Sequence, residues 1–481
     1  MFTKNPFKFD YSYLSLPDKF YSLTKASSLT APNLYILNSQ LCDDVNIPPR
    51  ELKNWLPFIG NENIALQSFS QAYAGHQFGH FTLLGDGRAV ILGEHITKNN
   101  NRFDIQIKGS GRTPYSRGGD GKATLKAMLR EYIISESMFY LRIPTSRSLC
   151  VMKTGQTVHR ETKHTGAALL RVMKSHIRVG TFEYAARFGK QDDVRTLLHY
   201  TINRLYPEIV HDENPALCLL NTVIENQIEL VTHWMRVGFI HGVMNTDNTA
   251  ISGETFDYGP CAFMNIYNPN TVFSSIDYNG RYAFGNQYRI IAWNLVRFAE
   301  SLLPVLDPNL KKSVELAQTA LDRFEEIWRE KYYTVMLKKI GIDCNNPELY
   351  FLVDELLSLM ETQKMDYTNT FYDLSNSIND DEVRHTNPTM KLWLEKWKNH
   401  IEHSSGTTHA KKVMQQNNPV IIPRNHLVEQ ALDDAIIGDL TLFESLLDAL
   451  SKTYQYEPKS LEYMKSSDLA FEQSYQTFCG T

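Results

Sequence analysis

The 481-residue sequence lacks any run close to the ~18 uninterrupted apolar residues that a membrane-spanning helix needs, so no membrane protein is expected. Its N-terminus, MFTKNPFKFDYSYLSLPDKF, alternates aromatic and polar residues and has no apolar signal-peptide core, which makes the cytoplasm the expected location. Cysteine is sparse. Cys42, Cys150, Cys218, Cys261, Cys344 and Cys479 never come closer than 43 residues, so neither CxxC nor a zinc-ligand spacing occurs. Overall charge is small as well, with 49 Lys plus Arg against 54 Asp plus Glu and a net charge of −5. With 42% hydrophobic and 11% aromatic residues, the chain reads as a folded protein with roughly three domains' worth of core.

Three familiar motifs are near misses. GGDGKAT at 118–124 resembles a phosphate loop, but Ser116 and Ala123 stand where GxxxxGK[ST] needs Gly and Ser or Thr. Residues 245–256 resemble a calcium loop, but its sixth position is Ala250 rather than Gly. His159 and His164 in HRETKH have the wrong spacing for a HExxH zinc site.

What is present is an uneven distribution of charge. Residues 101–190 hold 17 Lys or Arg against 6 Asp or Glu, a local excess of 11 positive charges, which leaves the rest of the chain at −16. Five glycines between Gly109 and Gly121 let backbone N–H groups approach an anion closely. Small phosphates suit this better than nucleic acid, for which no recognition motif is present.

Apolar periodicity divides the chain into a mixed first part and a helical second part. FTLLGDGRAVILG, 81–93, predicts a hairpin turning at Asp86-Gly87. DIQIK, 104–108, predicts a strand, residues 124–140 a helix, and 168–173 a buried strand. Helices are predicted over 181–206, 217–237, 287–302, 311–339, 346–361 and 427–450. The 363–420 region is polar and is predicted to lie on the surface.

Lys108 ends its strand, and 23 residues later Glu131 sits mid-helix, on the side opposite Leu125 and Met128. A strand Lys and a helix Glu are how kinases hold a lysine against nucleotide phosphates, although the pair alone also fits two surface residues. Beyond the 217–237 helix comes FIHGVMNTDNTAISGETFDYG. It reads as a loop ending in Asp247-Asn248, a strand-turn-strand around Ser252-Gly253, then Asp257-Tyr258-Gly259, in the order of a kinase catalytic loop and Asp-Phe-Gly segment. Asn248 and Asp257 are suitable oxygen ligands for magnesium, and Asp247 is the candidate proton acceptor. Asp247 and Asn248 are adjacent, whereas kinases separate base and Asn by four residues, so analogy alone leaves the base open.

HQFGHFTLLGDGRAVILGE, IKGSGRTPYSRGGDGKATLKAMLREY, LLRVMKSHIRVGTFEYAAR, HGVMNTDNTAISGETFDYGPCAFM and NPVIIPRNHLVEQAL together resemble the selenoprotein O family, called YdiU in bacteria. These five collinear blocks run through nearly the whole chain. The resemblance implies an α+β, protein-kinase-like, two-lobed fold: an N-lobe over 1–165, a C-lobe over 166–362, and a helical extension with a tail over 363–481. It implies transfer of AMP from ATP to Ser, Thr or Tyr hydroxyls of proteins, with UMP transfer associated with bacterial members. In that family ATP lies inverted, its γ-phosphate buried and its α-phosphate facing the acceptor.

Carried across, the nucleotide contacts fall on Gly85, Gly87, Arg88, Lys108, Asp120, Gly121, Arg171 and Arg178, with Asp257 beside them. Asp247 becomes the proton acceptor, and Asn248 with Asp257 hold Mg2+ or Mn2+. Arg171 on a strand and Arg178 before a helix start suit phosphate, unless one of them pairs with Glu161 or Glu183. A phosphotransferase using ATP in the usual orientation, and a silent nucleotide-binding docking module, are the competing readings. The family also carries a redox-active residue near its C-terminus, which singles out Cys479 in YQTFCGT as a partner for Cys261, four residues after Asp257.

Overall fold

The structure is a computed structural model that describes residues 4–27, 29–60, 66–378, 387–456 and 458–478. A nine-stranded antiparallel sheet dominates the first part. Its main path runs Tyr21–Leu23, Phe69–Gln71, Ala89–Ile96, Arg102–Lys108, Lys163–Met173, Arg147–His159, Asn33–Leu37, with Phe9–Asp10 and Ala123–Thr124 paired at its margins. Residues alternate between its two faces. Val90, Ile105, Ile107, Leu170 and Val172 pack outward against Leu52 and Trp55 of the N-terminal helices, while Ile91, Val151 and Leu169 pack inward against the helix Leu125–Tyr140. The inner core continues without a break into the helical part. The strand Lys163–Met173 crosses residue 165, so the expected lobe boundary falls inside the sheet.

The helical part is packed with clear stop signals. Asn214 caps the long helix Pro215–Val237 by accepting the Leu217 N–H at 3.1 Å, and Gly238 ends it in the left-handed region at φ +74°. Two predicted helices are each broken once, at Gly189-Lys190 and at Arg323, giving Val179–Phe188 with Gln191–Leu205, and Leu310–Asp322 with Phe324–Lys339. The described residues of 363–420, expected on the surface, are partly buried. They form Tyr367–Ser377, Pro388–His403 and Thr407–Asn417, and the ring N–H groups of buried Trp393 and Trp397 donate to the carbonyls of Leu352 (2.9 Å) and Ile340 (2.7 Å). Polar composition concealed the Met390, Trp393, Trp397, Ile401 stripe at helical spacing.

Two predicted turns are also corrected. The hairpin does not turn at Asp86-Gly87. Ala74–Gln77 pairs with His80–Leu83 around Phe78 (φ +51°) and Gly79 (φ +86°), the double left-handed geometry that a two-residue hairpin needs. Residues 84–86 then run back along 71–73, with Leu84 N–H donating to the Tyr73 carbonyl and Asp86 N–H to that of Gln71, each at 2.9 Å. Nor does Ser252-Gly253 sit in a strand-turn-strand. Ile251 N–H donates to Ile177 and Thr255 N–H to Pro144, both at 2.9 Å, so this segment's backbone is satisfied by other parts of the chain. The short ladder near it joins Phe239–Ile240 to Ala262–Phe263 and closes the base of the Asp247–Asp257 segment.

Candidate active site

Alternation in Arg102–Lys108 puts Asp104, Gln106 and Lys108 on the inner face and the two isoleucines on the outer one. The antiparallel register sets Arg171 opposite Gln106, and its Nη1 donates to Gln106 Oε1 at 3.2 Å. Glu131 reaches in from the helix Leu125–Tyr140. Its Oε2 lies 2.6 Å from Lys108 Nζ, and its Oε1 accepts from Arg171 Nε at 3.0 Å and from Nη2. Asp257 Oδ1 completes the cluster, 2.6 Å from Lys108 Nζ and 2.5 Å from Arg171 Nη2. The helix is buried over most of its surface, so Glu131 shares the burial of Leu125 and Met128 rather than facing away from them.

Burial opposes the charge on Asp257, but Arg171, Lys108 and Arg178 outweigh it and hold the carboxyl well below its usual range. Glu131 is held down in the same way by Arg171 and Lys108. Asp257 sits at φ +60°, a backbone conformation that costs energy for a residue with a Cβ and recurs at functional sites.

Arg178 occupies the N-cap of Val179–Phe188. Its Nη1 donates to the Asp247 carbonyl at 3.1 Å, its Nη2 is 3.7 Å from Asp86 Oδ1, and its guanidinium covers the Tyr73 ring at 4.0 Å. Neither arginine pairs with Glu161 or Glu183. Asp247 is buried in the turn Thr246–Asn248, and its Oδ1 has no hydrogen-bond partner among the described residues. Burial pushes its carboxyl up to about 6, against the pull of Arg178.

A divalent cation fits the donor set. Asn248 Nδ2 donates to the Val243 carbonyl at 2.9 Å, which leaves Oδ1 as its acceptor, and Asp257 adds a hard carboxylate oxygen. Among the described residues no group of three or more His, Cys, Asp or Glu is arranged to hold a metal, so phosphate oxygens and water would have to complete the shell. Magnesium is commonly held that way.

The turn at 85–88 lies against the glycine-rich segment 109–121. Thr113 Oγ1 donates to the Asp86 carbonyl at 2.6 Å, and Gly109 N–H to that of Arg88 at 2.8 Å. A Cβ on Gly85 would run into the Tyr115 ring and one on Gly121 into the Gly111 carbonyl, so tight packing by itself requires glycine at both. A Cβ on Gly87 would come 2.9 Å from the Tyr115 carbonyl oxygen. Asp120 is bridged to Arg160 at 2.9 Å and lines a cavity of 440 Å³ with Gly109, Gly111 and Lys122. Of the remaining expectations, Cys261 is buried and its thiol is pushed up to about 11 by burial, whereas Cys479 lies outside the described residues.

Sequence reasoning missed Gln106, Asp86 and Tyr73. Alternation from Lys108 could have found Gln106, but nothing local marks Asp86 or Tyr73 as neighbours of Arg178.

The family signature described as Protein adenylyltransferase SelO matches residues 5–451. The chain belongs to the SelO family. Proteins called Protein nucleotidyltransferase YdiU are similar to it from end to end: 51% identical in Pelagibacter ubique, covering 98% of this chain and 99% of that one, and 50% identical in Brevibacillus brevis, covering 98% and 97%. The Clostridium perfringens relative is 47% identical over 100% of this chain and 99% of its own. Two solved Toxoplasma gondii structures are matched at 10% identity. A rhoptry antigen kinase domain has a TM-score of 0.24, covering 55% of this chain and 87% of that one. ROP2, described as a virulence factor with a protein-kinase fold and no enzymatic activity, has 0.23, covering 64% and 86%. Scores that low carry no argument, and the α+β architecture of this SelO family member rests on its own sheet and helices. No helix among the described residues is long and apolar enough to cross a membrane.

Proposed function

We propose that this protein is an adenylyltransferase that moves AMP from ATP to Ser, Thr or Tyr hydroxyls of other proteins in the cytoplasm, using Mg2+ or Mn2+, with UTP as an alternative donor. Membership of the SelO family supports the reaction class. The observation that carries the orientation is the pairing of Lys108 and Arg171 with the partly buried Asp257, with Arg178 near enough to lower its carboxyl further. Three cations there exceed what recognition of adenine requires and suit the terminal phosphates, with arginine favoured for its bidentate geometry.

On this reading Asn248 and Asp257 hold the cation, which supplies charge compensation to the phosphate oxygens. Lys108, kept in place by Glu131, and the two arginines bind and orient the triphosphate. Asp247 takes the proton from the acceptor hydroxyl as its oxygen bonds to the α-phosphorus and the bond to pyrophosphate breaks. A carboxyl near 6 is basic enough for this and still mostly ionised at neutral pH. Gly85, Gly87, Arg88, Asp120 and Gly121 are the remaining donor contacts of the proposal, and the segments 1–165, 166–362 and 363–481 its working division.

Redox control through Cys261 and Cys479 belongs to the same proposal. Thr477 Oγ1 donates to the Pro260 carbonyl at 2.7 Å, one residue before Cys261, which supports it. ATP labelled at the α- or the γ-phosphate tests the reaction. Protein-bound α label with free pyrophosphate is expected, and γ label on protein would favour the phosphotransferase.

A further inference from the structure

His76 and Glu183 have no part in the donor or metal assignments. His76 lies on the hairpin strand Ala74–Gln77, and Glu183 on the helix that starts after Arg178. His76 Nδ1 and Glu183 Oε1 are 2.5 Å apart, with the two side chains 18% and 5% exposed. Thr246 is the third member. Its hydroxyl oxygen accepts the His76 backbone N–H at 2.7 Å, so the strand that carries His76 is tied to the Asp247 turn.

The same hairpin touches the residues on either side of Thr246. Phe78 N–H donates to Asn245 Oδ1 at 3.1 Å, and Gly75 is so close that a Cβ there would stand 2.8 Å from Asp247 Oδ1. Glu183 Oε2 is buried and has no hydrogen-bond partner among the described residues.

We propose that His76 and Glu183 are positioning residues that hold the hairpin strand against Thr246 and thereby aim the Asp247 carboxylate at the acceptor. The inference rests on Asp247 being the proton acceptor of the transferase reaction. Every charged group facing the pair comes from a neighbouring element. Arg297 and Glu300 of the helix Gln287–Leu306 act on both residues, and Arg281 acts on His76. The edges of Phe81 and Trp293 flank the imidazole at 5.2 and 5.1 Å. Burial lowers the His76 imidazole and raises the Glu183 carboxyl to about 7. Below that pH Glu183 takes up a proton and holds His76 less firmly.

The test is kcat and KM for ATP from pH 5.5 to 8.5 in the parent, Glu183→Gln and His76→Gln, using α-labelled ATP and a mixed Ser/Thr/Tyr peptide acceptor, with Tm measured alongside. Glu183→Gln should lower kcat by roughly tenfold or more at nearly unchanged KM for ATP. It should also remove one proton-linked step from the acid limb while Tm holds, and His76→Gln, which can still bond Glu183, should fall less. Parent-like kcat and profile in both variants would overturn the proposal. So would a fall in kcat that tracks Tm without changing the profile's shape. A parent that transfers no α label would instead remove the transferase reading beneath it.

Discussion

The Lys108–Glu131–Arg171–Asp257 cluster and the Asp247 turn both carry buried carboxylates, but they hold them in opposite states. In the cluster each carboxylate meets two cations at close range, so both acids stay ionised although Glu131 is buried and Asp257 partly so. At Asp247, Arg178 bonds only the backbone carbonyl, one carboxylate oxygen is unpartnered, and burial dominates. Groups that bind anions and metal need fixed charge, whereas a group that takes up a proton needs a weaker hold on its own charge. On the proposed function the contrast divides the labour of the site: one region holds the donor and the other reacts.

The strongest way to break this division is to remove Asp257. Asp257→Ala should abolish label transfer and weaken metal-dependent ATP binding, because the phosphate charge then goes uncompensated. Turnover at the parental rate would refute the metal assignment. Asp247→Ala should reduce transfer by roughly 10²–10⁴ while ATP still binds.

Glu131→Ala leaves two buried cations sharing Asp257, which should destabilise the fold by about 3–5 kcal/mol and lower activity through Lys108. Unchanged thermal unfolding would show that the pair is not needed. Smaller still, Arg178→Ala should weaken ATP by roughly tenfold to a hundredfold and AMP much less, since a charge-assisted contact to phosphate contributes about 1.5–3 kcal/mol. Equal loss for both nucleotides would contradict inward-facing terminal phosphates.

The pH responses should have opposite signs. Asp247 is raised from 3.8 to about 6, so its contribution to stability is complete below about 4 and is lost as pH rises through 6, while activity rises over the same window. Asp257 is lowered, so its contribution is present above 3.8 and is lost as pH falls further. Tm measured against pH in Asp247→Asn should decline less between 4 and 6 than in the parent, the remainder belonging to Glu183, whose carboxyl is raised to about 7. An undiminished decline would show that Asp247 contributes nothing to it.

The strand of Lys108, the helix of Glu131 and the order Asp247, Asn248, Asp257 were legible because strand alternation, helical periodicity and segment order are local properties of the chain. Partner choice was not. Arg171 meets Glu131 and Asp257 from positions 40 and 86 residues away, through sheet register and the Asp257 segment, and neither separation leaves a local signature. The displaced hairpin shows the same limit. Asp86-Gly87 has good turn chemistry, but burial of Asp86 against the Gln71 N–H at 3.0 Å committed it to another segment. Trp393 and Trp397 were hidden because an amphipathic helix among polar neighbours has unremarkable average composition.

The division of labour is tested most directly by titrating Mg2+·ATP calorimetrically into Asp257→Asn and Asp247→Asn, with α-label transfer measured on the same preparations. The account predicts that Asp257→Asn loses both binding and transfer, whereas Asp247→Asn binds within a few-fold of the parent and transfers at a small fraction of its rate. Loss of ATP binding in Asp247→Asn comparable to that in Asp257→Asn would contradict it, because Asp247 would then be part of the holding machinery.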